Sequence, residues 1–285
     1  MDRQLKTPRV NRGLELATAA FNGHADVVDF ILDKLRAEVD EGETGKVEFA
    51  KVVNERDELD RTPLMLAAAG GFKEVVELLL ALTDVYDLEV NVKSKNGMTA
   101  LRAALVGGHS AVAELILMNT KFELKVKEDG GEEQEMAYGG GWTPLTSAAS
   151  QGFLVVISLL LKFGADPNKA DGDYATPLFL ACSGGYLRVA MMFLRKGTGT
   201  LEVANKAGWT PLIAAATEGH PGVVAFLLEK GAKMDAMGNE GETALKAALT
   251  NGNAAVVKLL YDHGAEMPKE NAPRTEVEEG GGSET

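Results

Sequence analysis

The residues able to do chemistry are few: four histidines, one cysteine and a short glycine- and lysine-containing segment. Metal and catalytic sites group such side chains closely, as in His-Glu-x-x-His or Cys-x-x-Cys, and neither spacing occurs in the sequence. A Gly-x-Ser-x-Gly nucleophile elbow is absent as well. Residues 42–46, Gly-Glu-Thr-Gly-Lys, resemble a phosphate loop, but the glycines are too close together and Val47 replaces the required hydroxyl residue. We therefore expect no catalytic residue, no metal ligand and no cofactor.

Composition and charge restrict the class of partner. The 285 residues carry a formal net charge of −13, which argues against binding nucleic acid and favours a basic or neutral partner. Cys182 is the single cysteine, so it cannot form an internal disulfide. There is no apolar run of about 18 residues, and residues 1–6 lack the apolar stretch of a signal peptide. We expect no membrane insertion and a cytoplasmic location, with the nucleus as an alternative.

The sequence contains a repeat, and the positions of the histidines and the cysteine depend on the fold of that repeat. Six segments open with Thr-Pro-Leu or Thr-Ala-Leu, and a glycine follows each threonine nine residues later. A degenerate seventh copy precedes them, with Leu16 and Gly23 in the leucine and glycine positions. The repeat glycines lie 48, 37, 44, 33, 34 and 33 residues apart: Gly23, Gly71, Gly108, Gly152, Gly185, Gly219 and Gly252.

Each unit predicts two short helices. The threonine hydroxyl can cap the first helix, and proline fits its first position, where a missing N–H has no cost. Small residues follow, and the repeat glycine permits the turn into the second helix. In that helix apolar residues fall at i, i+1, i+4 and i+5, as at Val75, Val76, Leu79 and Leu80, which makes one apolar face.

In these features the sequence resembles the ankyrin repeat family over residues 13–267. The resemblance implies an all-α fold: a solenoid of seven helix-turn-helix units with projecting β-hairpin fingers. Residues 1–12 would be an N-terminal extension and residues 268–285 an acidic, disordered tail. The family's histidine after Thr-Pro-Leu is missing, so we expect packing rather than its hydrogen bonds to couple the units; the replacements are Met65, Arg102, Thr146, Phe179, Ile213 and Lys246.

Insertions separate the early units. Residues 35–51 predict a helix extension followed by a solvated loop, and residues 81–88 form a shorter insertion. Alternating apolar and polar residues at 122–127, an Asp129-Gly130 turn and a return at 132–138 predict a protruding hairpin. A disordered acidic loop at 122–138 is the alternative, since isolated hairpins are marginally stable in water.

The four histidines and the cysteine have structural interpretations. His24, His109 and His220 each follow the repeat glycine, a position that the resembling family itself fills with histidine. His263 precedes Gly264 near a helix C-terminus, where a cation is mildly favoured. Cys182 occupies an alanine position of a first helix and should be a buried apolar residue.

The resemblance implies a non-catalytic scaffold or adaptor that binds a protein on a concave face. That face is built from residues before each threonine, at the finger tips, and from residues late in each first helix. Both tryptophans belong to the first series, and Trp is enriched among residues that dominate binding energy, although each indole could instead pack on the next finger. The predicted partner-binding residues are Arg61, Met98, Trp142, Tyr174, Trp209, Glu242, Gln151, Glu218 and Asn251.

A second function remains open at this point. Some ankyrin domains with long fingers bind nucleotide on the concave face, and a nucleotide- or small-anion-sensing domain is the alternative. The positive charge would have to come from Arg61, Lys93, Lys95 and Arg102. For either function we expect a monomer or a subunit of a larger complex.

Overall fold

The computed structural model describes residues 11–39, 42–119, 122–127, 133–135, 137–195 and 200–266. These residues form helices, two short strands, β1 (Lys125–Lys127) and β2 (Glu133–Glu135), and one 3-10 turn (Gly139–Gly141). The helices in chain order are α1 (Arg12–Asn22), α2 (Ala25–Glu38), α3 (Glu43–Val53), α4 (Pro63–Gly70), α5 (Lys73–Leu80), α6 (Thr83–Tyr86), α7 (Ala100–Val106), α8 (Ser110–Leu117), α9 (Pro144–Ser150), α10 (Leu154–Lys162), α11 (Pro177–Ser183), α12 (Leu187–Arg195), α13 (Pro211–Thr217), α14 (Pro221–Glu229), α15 (Ala244–Thr250) and α16 (Ala254–Asp262).

Most helices form successive pairs, which stack side by side. Pairs 1 to 7 are α1–α2, α4–α5, α7–α8, α9–α10, α11–α12, α13–α14 and α15–α16. The first helices contact one another in sequence order from α1 to α15 and form an inner layer. The second helices form an outer layer, with contacts from α2 to α10 and from α12 to α16. This stacking is an open solenoid, in which each pair buries its apolar face against its neighbours.

The first helices begin where the sequence predicts. In pairs 2 to 7 the threonine hydroxyl accepts a hydrogen bond from the backbone N–H three residues later, as from Met65 to Thr62 at 3.3 Å. Each repeat glycine has a positive φ of 70–80°, which glycine adopts without strain. The repeat leucines are at most 2% exposed and lie in one continuous core: Leu16, Leu64, Leu101, Leu145, Leu178, Leu212 and Leu245.

The first insertion corrects a prediction. We expected a solvated loop within residues 35–51, but after α2 the chain forms the separate helix α3. Phe49 on α3 is fully buried, and its ring stacks on that of Tyr86 with 3.7 Å between centroids. Burial of Phe49 against the half-buried Tyr86 ring offsets the entropic cost of ordering this segment. The acidic residues at the start of the insertion had favoured a solvated loop in the sequence.

Six turns form the tips of the fingers between pairs, and we call them fingertips: residues 57–61, 94–98, 138–142, 171–175, 205–209 and 238–242. In each fingertip the backbone N–H of the first residue donates to the backbone oxygen of the fifth, at 2.7–3.1 Å. Five of the fingers carry no assigned strand in the described residues. In the insertion before pair 4, β1 and β2 pair antiparallel, with Val126 opposite Gln134. The predicted Asp129-Gly130 turn lies outside the described residues.

The predicted chain ends are only partly described. Asn11 caps α1 and Arg12 already belongs to it, while residues 1–10 and the predicted tail at 268–285 lie outside the described residues. None of the described helices combines the length and apolarity needed to cross a bilayer.

Candidate functional site

Fingertips of neighbouring pairs are joined by single backbone hydrogen bonds. The N–H of the second residue of one fingertip donates to the carbonyl oxygen of the third residue of the preceding fingertip. These bonds run from Lys95 to Leu59 at 3.1 Å, from Gly172 to Gly140 at 2.6 Å, from Lys206 to Asp173 at 2.7 Å and from Asn239 to Ala207 at 2.9 Å. Their regular spacing holds the inner surface of the solenoid in a fixed shape.

The series is interrupted once among the described fingertips, between residues 94–98 and 138–142, where pairs 3 and 4 meet. Helix α9 also packs less closely on α7 than the other inner helices pack on each other, whereas α10 stays packed on α8. At most junctions a side chain from the next pair lies over the repeat glycine, as Phe72 lies over Gly23 and Tyr186 over Gly152. Gly108 of pair 3 has no such cover within 4 Å of where its Cβ would be. Pairs 3 and 4 are therefore open to solvent along their inner edge.

A cavity of about 320 Å³ occupies this opening, and we call it the cleft. Helix α7 contributes Arg102, Leu105 and Val106, of which Val106 is 61% exposed. Fingertip and inner-helix residues of pair 4 complete it: Gly139, Trp142, Ser147, Ser150 and Gln151. The cleft thus lies where the fingertips meet the inner layer of helices.

Tyr138 shapes one side of the cleft region. It takes the first fingertip position, where Asp57, Asp171 and Asn205 use a side-chain oxygen to accept backbone N–H groups of their own turns. The Tyr138 ring is instead buried, and the Arg102 guanidinium lies over it, 4.7 Å from the ring centroid. Burial raises the pKa of the Tyr138 hydroxyl, and the nearby Thr99 and Arg102 oppose this shift. The Tyr138 hydroxyl therefore stays protonated, and the face of its ring packs against the Arg102 guanidinium.

The structure brings two of the predicted binding residues together in the cleft, Trp142 and Gln151. Others lie elsewhere and have partners of their own. Arg61 binds the Asp57 carboxylate within its fingertip at 2.7 Å, and Glu242 lies 3.5 Å from Lys246. Met98 and Trp209 are half-buried and pack against the core.

The remaining predicted residues are exposed and lie outside the cleft lining. Tyr174 is 63% exposed and has a positive φ of 60°, while Glu218 and Asn251 are exposed at the ends of first helices. Sequence reasoning missed the opening itself. Its signal in the sequence is Tyr138, a large aromatic residue at a position that Asp57, Asp171 and Asn205 fill with a short polar side chain.

The cations named for the alternative function do not assemble into one site. Arg61 is paired with Asp57, and Lys95 donates to the backbone oxygen of Glu58 at 2.6 Å. Of the four, the cleft lining contains Arg102 alone. The described part of the chain also holds no cluster of three or more His, Cys, Asp or Glu residues suited to a metal ion.

Comparison with known proteins now identifies the fold. The family model for ankyrin repeats, which describes three copies, matches residues 16–128, 123–200 and 194–271. The chain belongs to the ankyrin repeat family. This confirms the resemblance inferred from the Thr-Pro-Leu segments, and ankyrin repeats are generally protein–protein interaction modules.

Curated relatives share these ankyrin repeats over part of their length. The chain is 34% identical over 91 residues to the 26S proteasome non-ATPase regulatory subunit 10 of Dictyostelium discoideum, covering 31% of this chain and 35% of that protein. It is 32% identical over 166 residues to the ankyrin repeat and KH domain-containing protein mask-1 of Caenorhabditis elegans, covering 52% of this chain and 6% of that protein. The chain therefore spans about a third or less of these relatives.

Two solved structures show the same fold at low identity. The human ASB11 ankyrin repeat domain is 20% identical with a TM-score of 0.64, covering 85% of this chain and 96% of that domain. An ankyrin repeat domain from Acinetobacter baumannii is 24% identical with a TM-score of 0.56, covering 72% of this chain and 98% of that domain. Both likenesses concern the ankyrin solenoid alone.

Proposed function

We propose that this ankyrin repeat protein is a non-catalytic module that binds a protein partner on its inner surface, centred on the cleft between pairs 3 and 4. The observation that carries the proposal is the convergence of Trp142 and Gln151, from the two predicted series, on one cavity. Exposed Tyr174, Glu218 and Asn251 extend the contact surface along the later fingertips and helices.

The physical basis is a rigid, partly apolar surface. Each fingertip is fixed by a backbone hydrogen bond within its turn and, except between residues 94–98 and 138–142, by one to the neighbouring fingertip, so little conformational freedom is lost when a partner binds. Trp142 and Val106 offer apolar area beside the hydroxyl groups of Ser147 and Ser150, the mixture found at the centre of protein interfaces. By name, one relative is a regulatory subunit of the 26S proteasome. In the same way, we expect this chain to work as a component of a protein complex.

Affinity capture with matched variants tests the proposal. Wild type, Trp142→Ala and Gln151→Ala are immobilised and the retained proteins identified by mass spectrometry, and each candidate partner is then titrated by calorimetry. Val155→Ala is the control, because Val155 is 55% exposed on α10 of the same pair but belongs to the outer layer. We expect Trp142→Ala to weaken binding by about 2 kcal/mol.

The control defines the result that contradicts the proposal. A partner that binds Trp142→Ala and Gln151→Ala as tightly as wild type, but loses affinity for Val155→Ala, would place the interface on the outer layer. Circular dichroism of each variant checks that a lost interaction is not caused by unfolding.

A further inference from the structure

The cleft exists because the insertion before pair 4 ends in an unusual fingertip. Tyr138 takes a position that a short polar residue fills in four of the other five turns, and its ring is buried on the pair 3 side, with its hydroxyl beside Thr99. Among the described residues, no backbone hydrogen bond joins this fingertip to the preceding one, and no side chain of pair 4 lies over Gly108. The opening between pairs 3 and 4 therefore follows from the position of the Tyr138 ring and from the missing contacts at this junction.

Arg102 is held in place at this opening. Its backbone N–H donates to the Thr99 hydroxyl oxygen at 3.2 Å, which fixes the start of α7. Its guanidinium lies over the Tyr138 ring, where the ring quadrupole attracts a cation. A guanidinium stacked on an aromatic face keeps its N–H groups at the edge available for a planar acceptor.

The charge of the cleft differs from that of the whole molecule. The formal net charge is −13, but among the described residues the cleft lining contains one cation, Arg102, and no carboxylate. Arg102 makes no ion pair with the residues that the structure describes, whereas Arg61 is bound to Asp57 on two nitrogens. An arginine that pairs with no carboxylate of the described residues, beside apolar side chains, favours a ligand that brings its own carboxylate.

The size of the cleft limits what it can hold. About 320 Å³ is at the lower end of the range of ligand pockets, roughly 300–1,000 Å³. That volume suits side chains from an extended segment rather than a folded surface. Trp142 and Val106 would contact the apolar part of the segment, and Ser150 and Gln151 its backbone.

We propose that the cleft binds an acidic side chain, Asp or Glu, of an extended peptide segment in the protein partner, with Arg102 pairing with the carboxylate. This inference rests on the proposed function, since it names the chemistry of the partner at the same surface. The expectation of a basic partner came from net charge alone, and the local charge of the cleft reverses it.

Peptide selection tests the inference without knowing the partner. A random 12-residue phage-display library is selected against the full chain, and the recovered peptides are synthesised and titrated. We expect recovered peptides to share an Asp or Glu. Changing that residue to Asn or Gln in the peptide should weaken binding to the wild-type protein about 10- to 100-fold, the usual effect of a lost charge-assisted bond.

Protein variants locate the carboxylate. Arg102→Gln removes the charge but keeps a donor, and it should weaken the acidic peptides by the same factor while leaving their Asn or Gln versions unaffected. Arg188→Gln is the matched control, because Arg188 is exposed on α12 in the outer layer. This substitution changes the net charge of the protein by the same amount as Arg102→Gln does. Arg188→Gln should leave every affinity within twofold of wild type.

The outcomes separate the two proposals. Two results overturn the inference and leave the proposed function standing. In the first, the peptides lose affinity for Trp142→Ala but share no Asp or Glu. In the second, acidic peptides bind Arg102→Gln as tightly as wild type. Equal losses for Arg102→Gln and Arg188→Gln also overturn it, because the effect would be general electrostatics. A library that yields no binder, or only binders insensitive to Trp142→Ala, counts against both.

Discussion

The His220 Nε2 atom lies 2.9 Å from the backbone oxygen of Ser183 in the preceding pair, at the C-terminal end of α11. A carbonyl oxygen only accepts, so His220 donates. His109 makes the same bridge to Ala69 at 3.1 Å, and Asn253 donates to Ala216 at 2.9 Å and Thr217 at 2.8 Å. The units are thus coupled by hydrogen bonds from a position other than the missing family histidine, in addition to packing.

His220→Ala should lower the free energy of unfolding by about 1–2 kcal/mol, because the Ser183 carbonyl loses its donor. His220→Asn should restore most of the loss, since Asn253 already makes this bridge in the next pair. The measurement is urea unfolding followed by circular dichroism. His24→Ala serves as the control, because His24 is exposed in pair 1; a similar loss there would show that the bridge is not the cause.

The Asp57 carboxylate gives a pH-dependent contribution. Partial burial raises the pKa of Asp57, but hydrogen bonds from Arg61 and from the Leu59 N–H outweigh it, so the pKa lies below its usual value. A lowered folded-state pKa stabilises the fold above the unfolded pKa, and this contribution is lost as pH falls through the folded value. Asp57→Asn keeps the turn but loses the charge.

Asp57→Asn should therefore be less stable than wild type by about 0.5–1 kcal/mol at pH 7, given the solvent exposure of Arg61. The difference should shrink below pH 3.8, the usual value for an aspartate. Urea unfolding of both proteins from pH 7 to pH 3 measures it. Asp57→Asn in an Arg61→Gln background should cost much less, and a pH-independent difference would refute the ionic contribution.

Two repeat glycines provide a matched comparison of strain and crowding. Gly219 and Gly252 have positive φ values of 77° and 70°. A Cβ on Gly219 would lie 2.6 Å from Asn253 Oδ1, whereas one on Gly252 has no neighbour within 4 Å. Gly252→Ala should cost about 1 kcal/mol from the left-handed backbone, and Gly219→Ala about 2–3 kcal/mol, because it also displaces the Asn253 bridge. In an Asn253→Ala background, Gly219→Ala and Gly252→Ala should lower the free energy of unfolding by similar amounts. Thermal and urea unfolding measure these losses.

Much of the fold could be predicted because each local signal has one physical solution. Threonine, proline, alanine and glycine at fixed spacing define a capped helix and a turn, and the structure places them so at Thr62 and Gly71. Helix α3 was missed because its apolar face, Phe49 and Val53, is short and interrupted by charges. Its partner Tyr86 lies in the next insertion, and no local pattern reports such a distant contact.

The cleft could be predicted only in part. Trp142 and Gln151 followed from the variable positions of the repeat, which sequence alone can locate. The opening between pairs 3 and 4 depends on where the Tyr138 ring packs and on how far α9 lies from α7. Such distances follow from the three-dimensional packing of inserted residues, so the repeat pattern carries no information on them.

Cys182 offers a test of core burial. The side chain is fully buried on α11, and burial raises the pKa of its thiol to about 12. Because the thiolate is the reactive form, native protein should react with a disulfide reagent at pH 8 far more slowly than protein unfolded in guanidinium chloride. As a positive control, Thr250→Cys in a Cys182→Ala background places a thiol on an exposed helix end. Comparable rates for native and unfolded wild type would mean that α11 is not packed as described.

The two tryptophans should differ in their effect on stability. The sequence left open whether each indole is a binding residue or packs on the next finger. Trp209 packs against Ala175, Phe179 and Ala214, so Trp209→Ala removes buried apolar contacts and should cost about 1–3 kcal/mol. Trp142 lines the open cleft, so Trp142→Ala should cost less than about 1 kcal/mol. Trp209→Phe should recover much of the loss by refilling the space beside Phe179. Urea unfolding of the three variants decides, and equal losses for both alanine variants would show that Trp142 is a packing residue rather than an available binding surface.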